Sequence, residues 1–287
     1  MLRVGLFLAT NFAILLVLGV FLNVILPMFG IQLGDTSTLL FFAAAFGFGG
    51  SFISLWMSKW MAVRSTRAHV ITQPSSPMER WLMQTVARLA QGANIPMPEV
   101  AIFPSQSINA FATGASKRNS LVAVSSGMLQ QMTQDEQEAV LAHEIAHIAN
   151  GDMVTMALIQ GVLNTFVIFL ARIIANAISS VVARGEEGRG LGMFAYMGVV
   201  FVLEIVLGIL ASIVAMWFSR QREYRADKGS ADLVGAPKMI AALERLKRSS
   251  EPELEGQLVA FGINGKRSEM FASHPSLDSR INALRQR

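Results

Sequence analysis

The sequence predicts a mainly α integral membrane protein, in which four transmembrane helices carry a cytoplasmic α+β domain built from two separate chain segments. Three observations carry this expectation. The 287 residues are 52% hydrophobic and only 15% charged, whereas soluble domains carry about a quarter of their residues as charge. Four long stretches are almost free of charge. The polar segments between and after them hold helix caps, short strand patterns and turn clusters.

Taking the chain in order, no charged residue lies between Arg3 and Asp35, nor between Asp35 and Lys59. Each stretch exceeds the ~20 residues a spanning helix needs, and the first two spans are expected near Val4–Pro27 and Leu39–Trp56. The first is too long for the apolar part of a secretory signal and has no small-x-small cleavage site after it, so it reads as an uncleaved anchor. Gln73-Pro74-Ser75-Ser76-Pro77 reads as a linker, and Glu79–Gly92 as an amphipathic helix ending at its glycine. Glu99–Phe103, Ile108–Thr113 and Leu121–Ser125 read as strands, the last two joined by the turn-rich Gly114-Ala115-Ser116-Lys117-Arg118-Asn119. A helix then opens at Thr133, where Glu136 completes a capping box and acids crowd the first turn; Asn150-Gly151 ends or bends it.

Met153–Ala171 is a charge-free run of 19 residues, and the 30 residues between Arg189 and Arg220 contain one acid, Glu204. Both lengths fit membrane spans. Further helices are expected around Pro237–Lys247 and from Ser276 to the end. The chain thus divides into a membrane hairpin (1–58), a polar segment (59–152), a second hairpin (153–219) and a second polar segment (220–287), the two polar parts folding together.

Orientation follows from the basic residues. Lys59, Arg64 and Arg67 follow the second span, and Arg220, Arg222, Arg225 and Lys228 follow the fourth, whereas the loop Gly30–Thr38 has none. These flanks belong on the cytoplasmic side, and Ala183–Gly190 faces outward despite Arg184 and Arg189. The sequence pI near 9.8 therefore reflects membrane flanks, with no nucleic acid implied. Glu204 is costly within a span, about 2.5–3.5 kcal/mol for an isolated charge. Counted along antiparallel helices from their cytoplasmic ends, Glu204 and Arg172 differ in height by ~6 Å, so the two are expected to pair, directly or through Asn176.

The chemistry sits in His143-Glu144-Ile145-Ala146-His147. On a helix, residues i and i+4 share a face, so His143 and His147 can offer ring nitrogens to one metal ion while Glu144 stands beside it as a general base. The chain has four histidines and no cysteine, which removes thiolate ligands and disulfides and leaves histidine and carboxylate to hold zinc. A catalytic zinc site needs a third protein ligand. The metzincin position holds Met153, leaving His69, His274 or a carboxylate. Glu223 is the strongest candidate, with Asp227 one turn later placed to orient a ligand histidine. The competing reading is a salt-bridged helix in which Arg222 and Arg225 pair with both acids.

These motifs, with Ile108-Asn109-Ala110-Phe111-Ala112-Thr113-Gly114 upstream and Arg222-Glu223-Tyr224-Arg225-Ala226-Asp227 downstream, resemble the HtpX family of bacterial membrane zinc endopeptidases, relatives of the CAAX prenyl proteases. The likeness extends over nearly the whole chain, including a late His274-Pro275. It implies a zincin-like domain of gluzincin type, one zinc ion bound by His143, His147 and Glu223, Glu144 as base and Asp227 behind a ligand. It also implies an inner-membrane protein whose active site faces the cytoplasm. Its implied task is quality control of misfolded membrane proteins in the lipid bilayer, alongside an ATP-dependent membrane protease.

His274 is expected to steady the tetrahedral oxyanion, with Tyr224 and Arg225 as the other candidates. Asn109, Ala110, Phe111 and Ala112 lie on a predicted edge strand, where the resemblance points to backbone pairing with an extended peptide; otherwise Phe111 belongs to an ordinary core. Two alternatives stand beside this reading: a prenyl-peptide protease, and a non-catalytic zinc-binding sensor. The presence of Glu144 argues against the second, because a structural site needs no base.

Overall fold

The computed structural model describes residues 36–185, 190–250 and 274–286. The expected first span, Val4–Pro27, lies outside the described residues, as do residues 186–189 of the loop expected to face outward. The described chain forms two compact units: one holds 36–53 and Ala157–Ala215, the other Ser54–Met156 with the described part of Met216–Arg287.

Among the described residues, three helices are long and apolar enough to cross a membrane: α1 (Thr36–Thr66), α5 (Asp152–Gly185) and α6 (Met193–Val234). In the first unit their packing is inverted relative to a water-soluble core. Phe41, Phe46, Phe194 and Phe201 face outward, while α1 buries Ala43, Gly47 and Ser51. Small residues let helix backbones approach where lipid offers no hydrophobic drive between helices. Thus Gly47 lies against Thr165, Gly161 against the ring of Phe48, and Phe169 against Ala43. The hydroxyls of Ser51 and Thr165 donate to carbonyls one turn back, on Gly47 and Gly161, and so bury no unpaired donor.

Arg172 and Glu204 pair at 2.9 Å, as their heights along α5 and α6 predict. Asn176 does not bridge them; its side-chain oxygen accepts from the Tyr196 hydroxyl at 2.8 Å. Replacing Arg172 and Glu204 with Gln, singly and together, is expected to lower thermal stability in detergent with clear coupling between the two sites. Strictly additive losses in that double-mutant cycle would contradict the pairing.

The second unit holds a four-stranded sheet, β1 (His69–Val70), β2 (Glu99–Phe103), β3 (Ala110–Ser116) and β4 (Asn119–Ser125), in the order β1-β2-β4-β3. β2 and β4 run parallel, with Val100 opposite Val122; β3 and β4 form an antiparallel hairpin, with Ala112 opposite Val122. Flanked on both sides, β4 is buried from Ser120 to Ser125 and reads as a continuous apolar run. β3 is the edge. Alternation along it turns Ala110 and Ala112 toward the main core and Phe111 to the opposite face, where its ring meets Phe103 at 5.5 Å. The hairpin turn is tighter than the sequence implies. Ser116 pairs with Asn119, leaving only Lys117 and Arg118 in the loop, and an irregularity between Gly114 and Ser116 absorbs the offset.

Among the described residues, the helices of this unit are α2 (Pro77–Gly92), α3 (Ser126–Gln131), α4 (Gln134–Asn150), the end of α6, α7 (Ala236–Ser250) and α8 (Leu277–Arg285). α2 begins two residues before the expected Glu79. Ser76 caps it, Glu79 reaches back to the Ser76 backbone, and Pro77 occupies the first turn, where its missing N–H costs nothing. Part of the apparent linker is therefore a helix start. α4 carries the expected Thr133–Glu136 capping box and ends at Gly151, whose φ of 70° gives the left-handed cap. A separate helix starts at Asp152, so His147 and Met153 do not share one helix. The core joins α2, α4, α7 and α8 to one face of the sheet through Leu82, Val86, Leu141, Ile145, Leu243 and Ile281.

Candidate metal centre

α4 buries Leu141, Ile145 and Ile148 in the core, which turns His143 and His147 together toward α6. Their rings stand nearly perpendicular, with centroids 4.6 Å apart. α6 closes on α4 where Gly229 meets Ala146, and the Ser230 hydroxyl donates to the Ala139 carbonyl at 2.8 Å. That contact brings Glu223, 2% exposed, between the two imidazoles.

The three donor groups form a triangle. His143 Nε2 lies 3.1 Å from His147 Nε2; Glu223 Oε2 lies 3.5 Å from the first and Oε1 3.4 Å from the second. Two ligands each ~2.0–2.1 Å from a tetrahedral zinc are separated by roughly 3.3–3.4 Å. The residues therefore fit such an ion in both chemistry and spacing. His143, His147 and Glu223 are, among the described residues, the group able to hold a metal.

Each histidine has a carboxylate behind it. His143 Nδ1 lies 3.0 Å from Asp227 Oδ1, and His147 Nδ1 lies 2.7 Å from Asp152 Oδ2. A carboxylate at Nδ1 fixes the proton there and aims the Nε2 lone pair at the centre of the triangle. Asp227 is held in turn by Arg280, whose Nε and Nη2 donate to its two oxygens at 2.8 and 2.6 Å. The Arg280 Nη1 atom also stands 3.5 Å from Glu223, and these carboxylates raise its pKa against the opposing effect of burial. Arg222 and Arg225 turn elsewhere, donating to Ser219 and to the Gln221 carbonyl. The salt-bridged alternative for these acids is not what forms.

His274 comes to the site, its Nδ1 3.0 Å from Glu223 Oε2. His69 lies on β1 opposite Ile102, away from the metal group. Glu144, buried, lines one cavity with His143, Glu223, His274, Asn109 and Ala110; Tyr224 and Arg225 are not part of its wall. Of the expected substrate strand, Phe111 points to the far side of the sheet and Ala112 into the core.

Asp152 and Arg280 had no signal in the sequence. Asp152 is five residues past His147, a spacing that a continuous helix would turn away; only the break at Gly151 returns it. Arg280 is 53 residues from Asp227, and no periodicity links them.

Burial opposes charge on His147, but hydrogen bonds with Asp152 and Glu223 and the charge of Glu144 outweigh it and raise its pKa to about 9. His143, also buried, is raised in the same way by Asp227 and Glu223 against the effect of burial. A metal ion must displace these protons. Apparent metal affinity should therefore climb as pH rises toward 9, by about tenfold per unit from the His147 proton and more steeply wherever His143 also sheds one. Competition titrations with a chromogenic chelator measure this; an affinity unchanged from neutral pH to 9 would contradict it.

Comparison with known proteins agrees with the geometry. The model of peptidase family M48 matches residues 76–287. The chain is 61% identical to Protease HtpX of Idiomarina loihiensis over 288 residues, covering 99% of both chains, and 62% identical to Protease HtpX of Haemophilus influenzae, again covering 99% of both. Among solved structures it is similar in fold to Ste24p of S. mikatae, with a TM-score of 0.59 at 19% identity; the match covers 93% of this chain and 61% of that one. With a donor triangle of zinc dimensions beside a buried glutamate, and with relatives matched over their full length, the chain belongs to peptidase family M48, among the HtpX proteases, and is a membrane metallopeptidase.

Proposed function

We propose that the chain is a zinc-dependent endopeptidase of the bacterial inner membrane that cuts misfolded or damaged membrane proteins at cytoplasmic segments close to their spans. It would do so with four transmembrane helices and a protease domain assembled from both polar segments. The observation that carries this reading is the His143–His147–Glu223 triangle, with Glu144 on the wall of the same cavity. The place of cleavage is supported by Glu223 lying four residues past Ser219, the end of the apolar run on α6.

A bound zinc ion would supply the positive charge that acidifies a water and polarises the scissile carbonyl. Glu144 accepts the water proton and returns it to the leaving amine. His274, held through Nδ1 by Glu223, has Nε2 to present to the oxyanion. Asp227 and Asp152 hold the imidazoles in one tautomer, and Arg280 holds Asp227. Asn109, just before β3, spends its backbone N–H and carbonyl on Ser125, so the outer edge of β3 from Ala110 onward receives the substrate backbone as an added strand.

The test uses the purified full chain in detergent and a destabilised, unlipidated membrane protein. Chelator-stripped enzyme should leave that substrate intact, and one equivalent of zinc should restore cutting at cytoplasmic segments. Cleavage that survives stripping, or cuts mapped mainly to the outer face, would overturn the proposal.

A further inference from the structure

The edge of β3 borders the metal centre at its least secure point. Asn109 and Ala110 line the cavity with Glu144 and His274, and they stand where the strand begins, next to the link of residues 104–109 that follows β2. Strand ends open at little cost in free energy. Hydrolysis, however, needs this end held closely, because a misplacement of about 1 Å can cost 10²-fold in rate.

The holding comes from one serine. Ser125, fully buried, ends β4 and caps α3. Its N–H donates to the Asn109 carbonyl at 2.9 Å, one step beyond the pair Ala110 and Val124. The return bond cannot go to the Ser125 carbonyl, because the carbonyl of an N-cap residue is committed to its helix. The hydroxyl takes its place. Ser125 Oγ accepts from the N–H of Asn109 and from that of Met128, each at 3.0 Å, and donates to the Ser107 carbonyl at 2.8 Å. Two lone pairs and one proton are then all engaged, which is the full capacity of a hydroxyl. Ser126 fastens the far end of the link, its Oγ accepting from the Ser105 N–H at 3.2 Å and donating to the Ser105 carbonyl at 2.9 Å. Ser125 is the residue that reaches Asn109.

We propose that Ser125 is a positioning residue for hydrolysis: its hydroxyl holds Asn109 against the end of β4 and so fixes which peptide bond of a substrate strand, added along β3 from Ala110, is presented to Glu144. The assignment rests on the proposed hydrolytic reading. Without the hydroxyl, the Asn109 N–H and the Ser107 carbonyl lose their partner and the start of β3 loosens. Bonds on either side of the correct one then drift into reach of Glu144. Beyond Ala110 the pairing of β3 with β4 remains, so the substrate is still taken up. The defect falls on rate and on the choice of bond, and leaves the metal and substrate uptake in place.

Two substitutions separate positioning from stability. Ser125→Gly removes the hydroxyl but keeps a residue that caps a helix almost as well, whereas Ser125→Thr keeps the hydroxyl and crowds a fully buried position with a methyl group. The zinc-loaded full chain in detergent is given a destabilised, unlipidated membrane protein; kcat and KM are measured per bound zinc, cut positions are mapped by mass spectrometry, and melting temperatures are recorded. Ser125→Gly should keep its zinc and nearly its KM, lose about 10–100-fold in kcat, and spread its cuts over neighbouring bonds. Ser125→Thr should melt lower yet cut at the wild-type positions within a few-fold of the wild-type rate. Gln131→Ala, which frees the Gln106 carbonyl of the same link from an exposed donor at 2.6 Å, should match the wild type. Wild-type kcat and cut positions in Ser125→Gly, or rate losses that follow melting temperature across both Ser125 variants, would overturn the assignment while leaving the peptidase intact. A Ser125→Gly chain that no longer folds or holds zinc would make Ser125 a structural residue and overturn it as well. Absence of cutting by the zinc-loaded wild type would instead remove the hydrolytic reading, and the assignment with it.

Discussion

Glu144→Gln is expected to abolish peptide hydrolysis while leaving metal content unchanged. Glutamine keeps the shape of the side chain and its place on α4, but it cannot accept and return a proton. General acid–base catalysis contributes about 10²–10⁴-fold, so turnover should fall by that factor or more. The metal should stay because the donor triangle contains His143, His147 and Glu223 and makes no use of Glu144. Metal analysis on the same detergent-purified sample separates the two effects. A variant that lost metal together with activity would show Glu144 holding the site's shape, and one that kept full turnover would remove it from the reaction. The pairing of retained metal with lost rate is also what distinguishes a hydrolase from a zinc-binding sensor.

What the sequence discloses about this site follows the range of the interactions. The α4 motif is legible because its ligands, base and cap fall within one helix, where spacing maps directly onto direction: Thr133 with Glu136, and His143 with His147. Glu223 and Asp227 are legible as a pair for the same reason, although spacing left open whether Arg222 and Arg225 would claim them. The Arg172–Glu204 contact follows from helix rise alone, because two antiparallel rods reduce a tertiary question to a length. β1, with two residues, is too short to show any alternation. The inward turn of Asp152 depends on a left-handed residue between two helices, and Arg280 reaches the site through the packing of α8 against α7. Neither leaves a local trace. The β3 strand lies between these cases: its edge position is legible, whereas grouping Asn109 to Ala112 as one substrate-binding stretch ignores the alternation that sends Phe111 to the face opposite Ala110 and Ala112.

Gly229 offers the most severe test of how α6 delivers Glu223. A Cβ at this position would stand 2.6 Å from the Ala146 Cβ, closer than two methyl carbons approach, and neither atom belongs to a flexible side chain that could swing aside. Ala146 lies between the two ligand histidines, so any relief must come from separating α4 and α6. Gly229→Ala would gain up to about 1 kcal/mol of helix propensity, while overpacking costs about 1–3 kcal/mol. The net cost is then about 0–2 kcal/mol, and the melting temperature in detergent should fall only modestly. The metal should respond very differently. Glu223 is six residues away on the same rigid helix and closes the triangle at 3.4–3.5 Å, so a shift of a few tenths of an ångström detunes every donor pair. Zinc affinity should fall by at least the ~10–100-fold typical of lost supporting contacts, and Gly229→Leu should bind none. Ala146→Gly removes the other methyl group, so the pair Gly229→Ala with Ala146→Gly should recover most of the affinity. If the pair binds no better than Gly229→Ala alone, the Gly229–Ala146 crossing is not what sets the position of Glu223, and the hydrogen bond from Ser230 to Ala139 becomes the contact that does.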